Sequence, residues 1–135
     1  SFSKKLSFSD WIYNEFKNKK IIYGFIDSFY SPLSVDTVSK IILKIISNKN
    51  HKKSGIFNIG SKKGISKYQL IKKFAKGIGF FEKRLLKKSK INTVCKTKRS
   101  KFNRLKSNKF EKMFKIKLPN TSIEIKKIVK TYNEN

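Results

Sequence analysis

The chain has 135 residues, with 34 Lys and Arg against 8 Asp and Glu, for a net charge of +26. That length suits one domain with a real core. The apolar share, 38%, is low for a globular domain. Such a charge ordinarily points to a polyanion partner, because Lys and Arg displace counterions from phosphates. Only Arg84, Arg99 and Arg104 are Arg, and Lys is joined by abundant Ile, Asn and Phe. That composition also fits an adenine- and thymine-rich coding sequence, although such a bias does not explain the scarcity of acids. Cys95 and His51 are each alone, so neither an internal disulfide nor a four-ligand zinc site can be assembled. No apolar run reaches membrane-spanning length. The absence of a signal peptide is uninformative in a chain that begins without Met, and a cytoplasmic setting is taken as the default.

In chain order, Phe8–Ile12 opens a helix. A β-branched and aromatic strand over 20–26 follows, ending at Asp27. The run Asp27-Ser28-Phe29-Tyr30-Ser31-Pro32-Leu33-Ser34-Val35-Asp36 is a turn, in which Pro32 restricts Ser31 to an extended conformation. A helix over 35–47 carries apolar residues at Val35, Val38, Ile41, Ile42, Ile45 and Ile46. Asp36 serves its N-terminus, and Asp27 reads as a turn former. A second strand is expected over 55–59, making a parallel crossover unit with 20–26. Ser66-x-x-Gln69 is a capping box, with Ile65 and Leu70 placed as a hydrophobic staple. That helix buries Leu70, Ile71, Phe74, Ala75 and Ile78, and Gly77 and Gly79 mark its end. A third strand is expected over 91–95, with Cys95 buried in it. A short helix near 106–115 has Ser107 as its N-cap. The last helix follows Pro119 with a second capping box, Thr121-x-x-Glu124. The total is α/β: three short strands (20–26, 55–59, 91–95) and about five helices. The Lys-rich stretches 48–54 and 83–90 read as loops or solvated helix ends.

Six segments, in order, resemble the C-terminal, substrate-binding part of the extended short-chain dehydrogenase/reductase family. The closest branch is that of the dTDP-4-dehydrorhamnose reductases. Phe8-Ser9-Asp10-Trp11-Ile12 is similar to the helix ahead of the family's strand, and the Asp27–Asp36 run to its "D-x-x-x-S-P-x-x-V-x-D" stretch. Gly55–Gly60 is similar to its "G-i-y-h-i-g" strand, and Ser66–Leu70 to the helix start after it. Lys98–Leu105 with Lys109 resembles "k-R-P-x-x-S-x-L-D-x-x-K", and Lys117-Leu118-Pro119 matches the "l-P" before the last helix.

The resemblance implies a substrate-binding lobe over 1–135 and a dinucleotide-binding half upstream of Ser1. The chain begins with Ser, and it contains no G-x-G-x-x-G, so it is expected to be the C-terminal piece of a longer protein. The implied activity is hydride transfer between NADPH or NADH and a 4-keto sugar nucleotide, with the cofactor held mainly by the other half. An epimerase or dehydratase of the same family is the alternative, and a basic nucleic-acid-binding module is a further one. A homodimer is left open, and weak, non-specific nucleic-acid binding is expected from the charge.

The expected substrate-binding residues are Phe29, Tyr30, Ser31 and Pro32 in the turn, Arg99 in the "R-P" position, and Arg104. Arg suits a diphosphate better than Lys because its planar fork donates in pairs. Departures occur at Ser100, Asn103 and Lys106, which replace the family's Pro, Ser and acid. Tyr13-x-x-x-Lys17 and Tyr68-x-x-x-Lys72 match the family's catalytic spacing. Lys is so common that such matches arise by chance, and both pairs read as helix surface, so no catalytic residue is assigned.

Overall fold

The computed structural model describes residues 6–47, 54–94 and 102–134. Helix α1, Phe8–Lys17, starts at a capping box: the Ser7 hydroxyl accepts from the Asp10 amide, and the Asp10 carboxylate takes the Ser7 N–H. Strand β1, Ile22–Phe25, follows, then β2, Phe29–Tyr30, and α2, Val35–Ser47. Strand β3, Ile65–Ser66, leads directly into α3, Lys67–Gly77, where the Ser66 hydroxyl accepts from the Gln69 N–H at 3.2 Å as the sequence predicts. A 3₁₀ turn at Lys83–Leu85 runs into β4, Leu86–Ser89, and α4, Ile91–Val94. The chain ends with β5, Phe102–Asn103, α5, Asn108–Phe114, and α6, Thr121–Asn133.

Two sheets result. Strands β1 and β4 pair in parallel, with Ile22 opposite Leu86 and Phe25 opposite Ser89. Strand β2 lies between β3, antiparallel, and β5, parallel. Helix α3 packs tightly on β1: a Cβ at Gly24 would stand 2.9 Å from the Tyr68 Cα. The main core joins Ile12 and Phe16 of α1, Ile22, Leu86, and Ile71, Phe74 and Ala75 of α3. Val129 and Tyr132 of α6 close it from one side. A second apolar cluster, Ile41, Phe110 and Leu118, holds α2 to α5 and the chain after it.

The structure corrects several expectations. The segment 55–59 forms no ladder among the described residues. Phe57 and Ile59 alternate into the second cluster as a strand would, but Ile56 is 89% exposed and the backbone finds no strand beside it. The parallel partner of β1 is therefore β4, and the crossover contains both α2 and α3. The stretch expected as the 91–95 strand is instead α4, because the Asp27 carboxylate accepts from the Ile91 N–H at 2.9 Å and starts a helical turn there. The strand falls just earlier, on 86–89, within a stretch the Lys content marks as a loop; Cys95 lies outside the described residues. Ser107 does precede α5, but its hydroxyl is turned across to Gly60, accepting from that N–H at 3.1 Å. The second capping box is not built either. Asn120 takes the N-cap position, the Thr121 hydroxyl donates to the Lys62 carbonyl at 2.8 Å, and Glu124 turns inward.

Glu124 has no exposed surface. Its carboxylate accepts from the Ser34 N–H at 2.7 Å, the Ser34 hydroxyl at 2.9 Å, the Thr37 hydroxyl at 2.9 Å and Lys127 Nζ at 3.1 Å. A residue of α6 thus caps α2, where negative charge is favoured by the helix dipole. Burial pushes the carboxyl pKa up, but the Ser34, Thr37 and Lys127 donors outweigh it and hold the group below its ordinary value.

Candidate functional site

The central strand β2 carries the candidate site because both of its edges are occupied. Phe29 lies opposite Ser66 of β3 and Phe102 of β5; Tyr30 lies opposite Ile65 and Asn103. The parallel pairing with β5 brings Arg104, one residue past that strand, back over the turn. Its guanidinium sits 4.1 Å from the Phe29 ring centroid, a cation–π contact. Lys67, the first residue of α3, lies 4.9 Å over the Tyr30 ring and 5.6 Å over Phe25. Ser31 then binds two strangers in sequence: its hydroxyl accepts from the Leu105 N–H at 3.3 Å, and its carbonyl accepts from the Ser61 N–H at 3.3 Å.

Those contacts draw the 60–64 loop and the 104–108 segment around Ser31. Between them is a cleft of about 470 Å³, lined among others by Ser31, Lys62, Lys63, Gly64, Arg104 and Lys106. Two glycines let the loop come this close. A Cβ at Gly64 would stand 2.5 Å from the Tyr30 carbonyl oxygen, and one at Gly60 3.0 Å from the Ser31 Cβ. Lys62 is paired with Glu111 at 2.9 Å. The Leu118 N–H, more than Lys62, holds the Glu111 carboxyl below its ordinary range, against the opposing effect of burial. Lys63, Arg104 and Lys106 have no ion-pair partner among the described residues. The cleft therefore presents a cationic wall, with the Phe29 ring packed against Arg104. Such a wall can hold a phosphorylated, hydroxylated ligand by charge-assisted hydrogen bonds.

The sequence-expected residues divide accordingly. Ser31 and Arg104 line the cleft, whereas Phe29 and Tyr30 do not and instead pack against Arg104 and Lys67. Pro32 is not part of that cleft: it lines a small apolar crevice of about 150 Å³ with Phe8, Ile12, Leu70, Phe74 and Ile125, so it packs the turn onto the core. Arg99 lies outside the described residues. Tyr13 packs against the core, edge-on to Phe80 at 5.4 Å and tilted to Tyr132 at 5.7 Å, and Tyr68 packs on β1 beneath Lys88. Lys62, Lys63 and Lys106 escape sequence reasoning because Lys is everywhere in this chain. The usable signal is the pair Gly60 and Gly64, spaced around two lysines in an otherwise glycine-poor sequence. Among the described residues no group of three metal-ligating side chains exists, and no helix is long and apolar enough to cross a membrane.

The model of the RmlD substrate-binding domain matches residues 3–134. The chain belongs to this family. No curated protein matches it. Among solved structures it is similar to a dTDP-4-dehydrorhamnose reductase from Clostridium acetobutylicum, with a TM-score of 0.81 at 18% identity. It is also similar to the dTDP-4-dehydrorhamnose reductase from Bacillus anthracis solved with NADP, at 0.78 and 15%. A dTDP-glucose 4,6-dehydratase from Bacillus anthracis solved with NAD follows at 0.70 and 12%. At these identities the likeness is one of fold. The alignments cover 98%, 96% and 96% of this RmlD-type domain but only 46%, 44% and 40% of those chains. The domain thus spans less than half the length of the structures it matches.

Proposed function

We propose that this domain binds the sugar nucleotide of an NAD(P)H-dependent reductase acting on a 4-keto deoxysugar nucleotide, as the dTDP-4-dehydrorhamnose reductases do. The observation that carries this reading is the cleft at Ser31, in a chain whose family is a substrate-binding domain. Arg104, Lys63 and Lys106 would hold the diphosphate, with the ring of Phe29 packed against the Arg104 guanidinium. By the resemblance, Arg99, outside the described residues, would contribute a second guanidinium to the ligand.

The nicotinamide cofactor, when bound, supplies the hydride. This chain's own residues do not fit it: no G-x-G-x-x-G occurs in the sequence, and no described strand leads through a glycine-rich turn into a helix. On this reading a companion half binds it. Two features support such a partner. Helix α2 leaves Val35, Ile42 and Ile46 exposed in one stripe, beside the face that buries Ile41. The 55–59 segment has no strand beside it among the described residues, its Ile56 carbonyl accepting from Lys109 Nζ at 3.3 Å and its Ile56 side chain exposed. An apolar helix face and a segment with no strand beside it are what a neighbouring sheet would cover.

The test is turnover. The full-length protein is expected to oxidise NADPH in the presence of a 4-keto deoxysugar nucleotide, and residues 1–135 alone are not. Arg104→Ala in the full-length protein is expected to raise KM about tenfold. Turnover by the isolated domain would contradict the reading, as would a full-length protein inert to every 4-keto sugar nucleotide supplied.

A further inference from the structure

All eight acidic residues are occupied inside the domain. Asp10, Asp27 and Glu124 cap helix starts, accepting from Ser7, Ile91 and Ser34 backbone N–H groups. Glu15, Asp36, Glu82, Glu111 and Glu134 pair with neighbouring cations. No acid remains to balance the rest of the surface, so any concave feature lined by Lys is strongly positive.

One such feature lies away from the Ser31 cleft. Helix α2, the 115–119 segment and α6 enclose a hollow of about 370 Å³ whose rim carries Lys40, Lys44, Lys117 and Lys127. Its floor is aliphatic: Ile41 and Leu118 are buried there, with Ile116 beside them. Lys40 and Lys127 are answered by Asp36 and Glu124. Lys44 and Lys117 have no ion-pair partner among the described residues, although Lys117 lies near enough to help depress the Glu111 carboxyl. Lys44, Ile116 and Lys117 also line a second hollow of about 650 Å³, which adds Leu43, Phe114 and Lys115. The two hollows form one channel along α2. Lys40 and Lys44, four residues apart, share a helix face on the opposite side from the stripe Val35–Ile42–Ile46.

We infer that this channel docks an acidic amphipathic helix of a protein partner. The rims require anions, and the floor requires aliphatic side chains. A helix with carboxylates flanking an apolar i, i+3, i+7 stripe meets both needs at once. A nucleic acid would satisfy only the rims: bases need planar faces to stack on, and this floor is aliphatic except for Phe114 at one end. Because the channel is separate from the Ser31 cleft, the inference does not rest on the proposed reaction.

The probe is a synthetic peptide of about four helical turns, with Glu on its polar face and Leu on the other. Its binding to the full-length protein is read by fluorescence anisotropy at physiological salt. The double reversal Lys44→Glu/Lys117→Glu should weaken binding about tenfold or more, and the control Lys73→Glu/Lys87→Glu, on α3 and β4, less than about threefold. These side chains are exposed, and the milder Lys44→Ala/Lys117→Ala should show the same direction if the reversal disturbs the fold. Replacing the peptide's Leu with Ser at constant charge should also weaken binding about tenfold. Equal losses from the two reversals would reduce the effect to bulk charge and overturn the inference. So would equal binding of the Leu and Ser peptides. So too would a single-stranded oligonucleotide, or an anionic vesicle, that binds tighter than the peptide and is released by the channel reversal alone.

Discussion

Removing the Glu124 carboxylate should destabilise the domain more than any surface change. Glu124→Ala strands the Ser34 N–H, while the Ser34 and Thr37 hydroxyls, 2.9 Å apart, can turn to bond each other. Lys127, whose side chain is 42% exposed, can swing into water. One buried donor left unpaired costs about 1–3 kcal/mol. Loss of the charged cap and the side chain's packing brings the total to about 3–4 kcal/mol, or roughly 10–15 °C in Tm for a domain of this size. Glu124→Gln keeps the shape and one acceptor, and should cost about half as much. The pH dependence has a definite sign. The folded carboxyl lies below the ordinary 4.5, so its contribution is complete above that value and is lost as pH falls through the folded one. Urea unfolding of wild type and both variants, followed by circular dichroism from pH 7 to pH 3, reads this directly. The gap between wild type and Glu124→Gln should be widest at neutral pH and narrow below 4.5. A gap unchanged across that range, or none at pH 7, would refute the capping role.

Three further outcomes follow from close contacts and charge. Gly64→Ala places a methyl 2.5 Å from the Tyr30 carbonyl, so it should cost about 1–3 kcal/mol and weaken ligand binding together with stability; denaturant melts and a titration check both. Phe74→Ala empties the core beside Ala75 and Tyr132 and should lower stability by about 3–5 kcal/mol in the same melts. DNA and RNA should bind weakly, with affinity falling steeply as salt rises; in competition between unrelated duplexes, a preference of about a thousandfold or more would promote the nucleic-acid alternative.

Much of the architecture was legible because local chemistry and tertiary placement agree. The helix from Lys67 starts where Ser66 says it should, and α2 spans the apolar period from Val35. The misreadings arise where a side chain serves a distant partner. Asp27 has the composition of a turn former, yet its carboxylate starts α4 from 64 residues away. Glu124 has the spacing of a cap for its own helix but caps another, 90 residues earlier. Ser107 likewise answers Gly60 instead of α5. The 55–59 segment keeps the alternation of a strand, which period alone can report; whether a neighbour stands beside it cannot be read from period. At the candidate site, Phe29 to Ser31 stand out through the family-like turn and Arg104 through the scarcity of Arg. Lys63 and Lys106 were not, because single lysines carry little information in a chain this basic.

The most direct measurement is an equilibrium titration of the full-length protein with dTDP-rhamnose, comparing wild type with Arg99→Ala, Lys98→Ala and Lys101→Ala. Each substitution removes one positive charge from the same segment. A guanidinium bonded to phosphate should be worth roughly 1.5–3 kcal/mol, about tenfold to a hundredfold in affinity, whereas solvated lysines lose only a screened fraction. Measurable binding in the wild type, with that loss confined to Arg99, is the predicted result. No binding by the wild type, or equal losses at all three positions, would contradict a substrate-binding domain that reads its ligand through this motif.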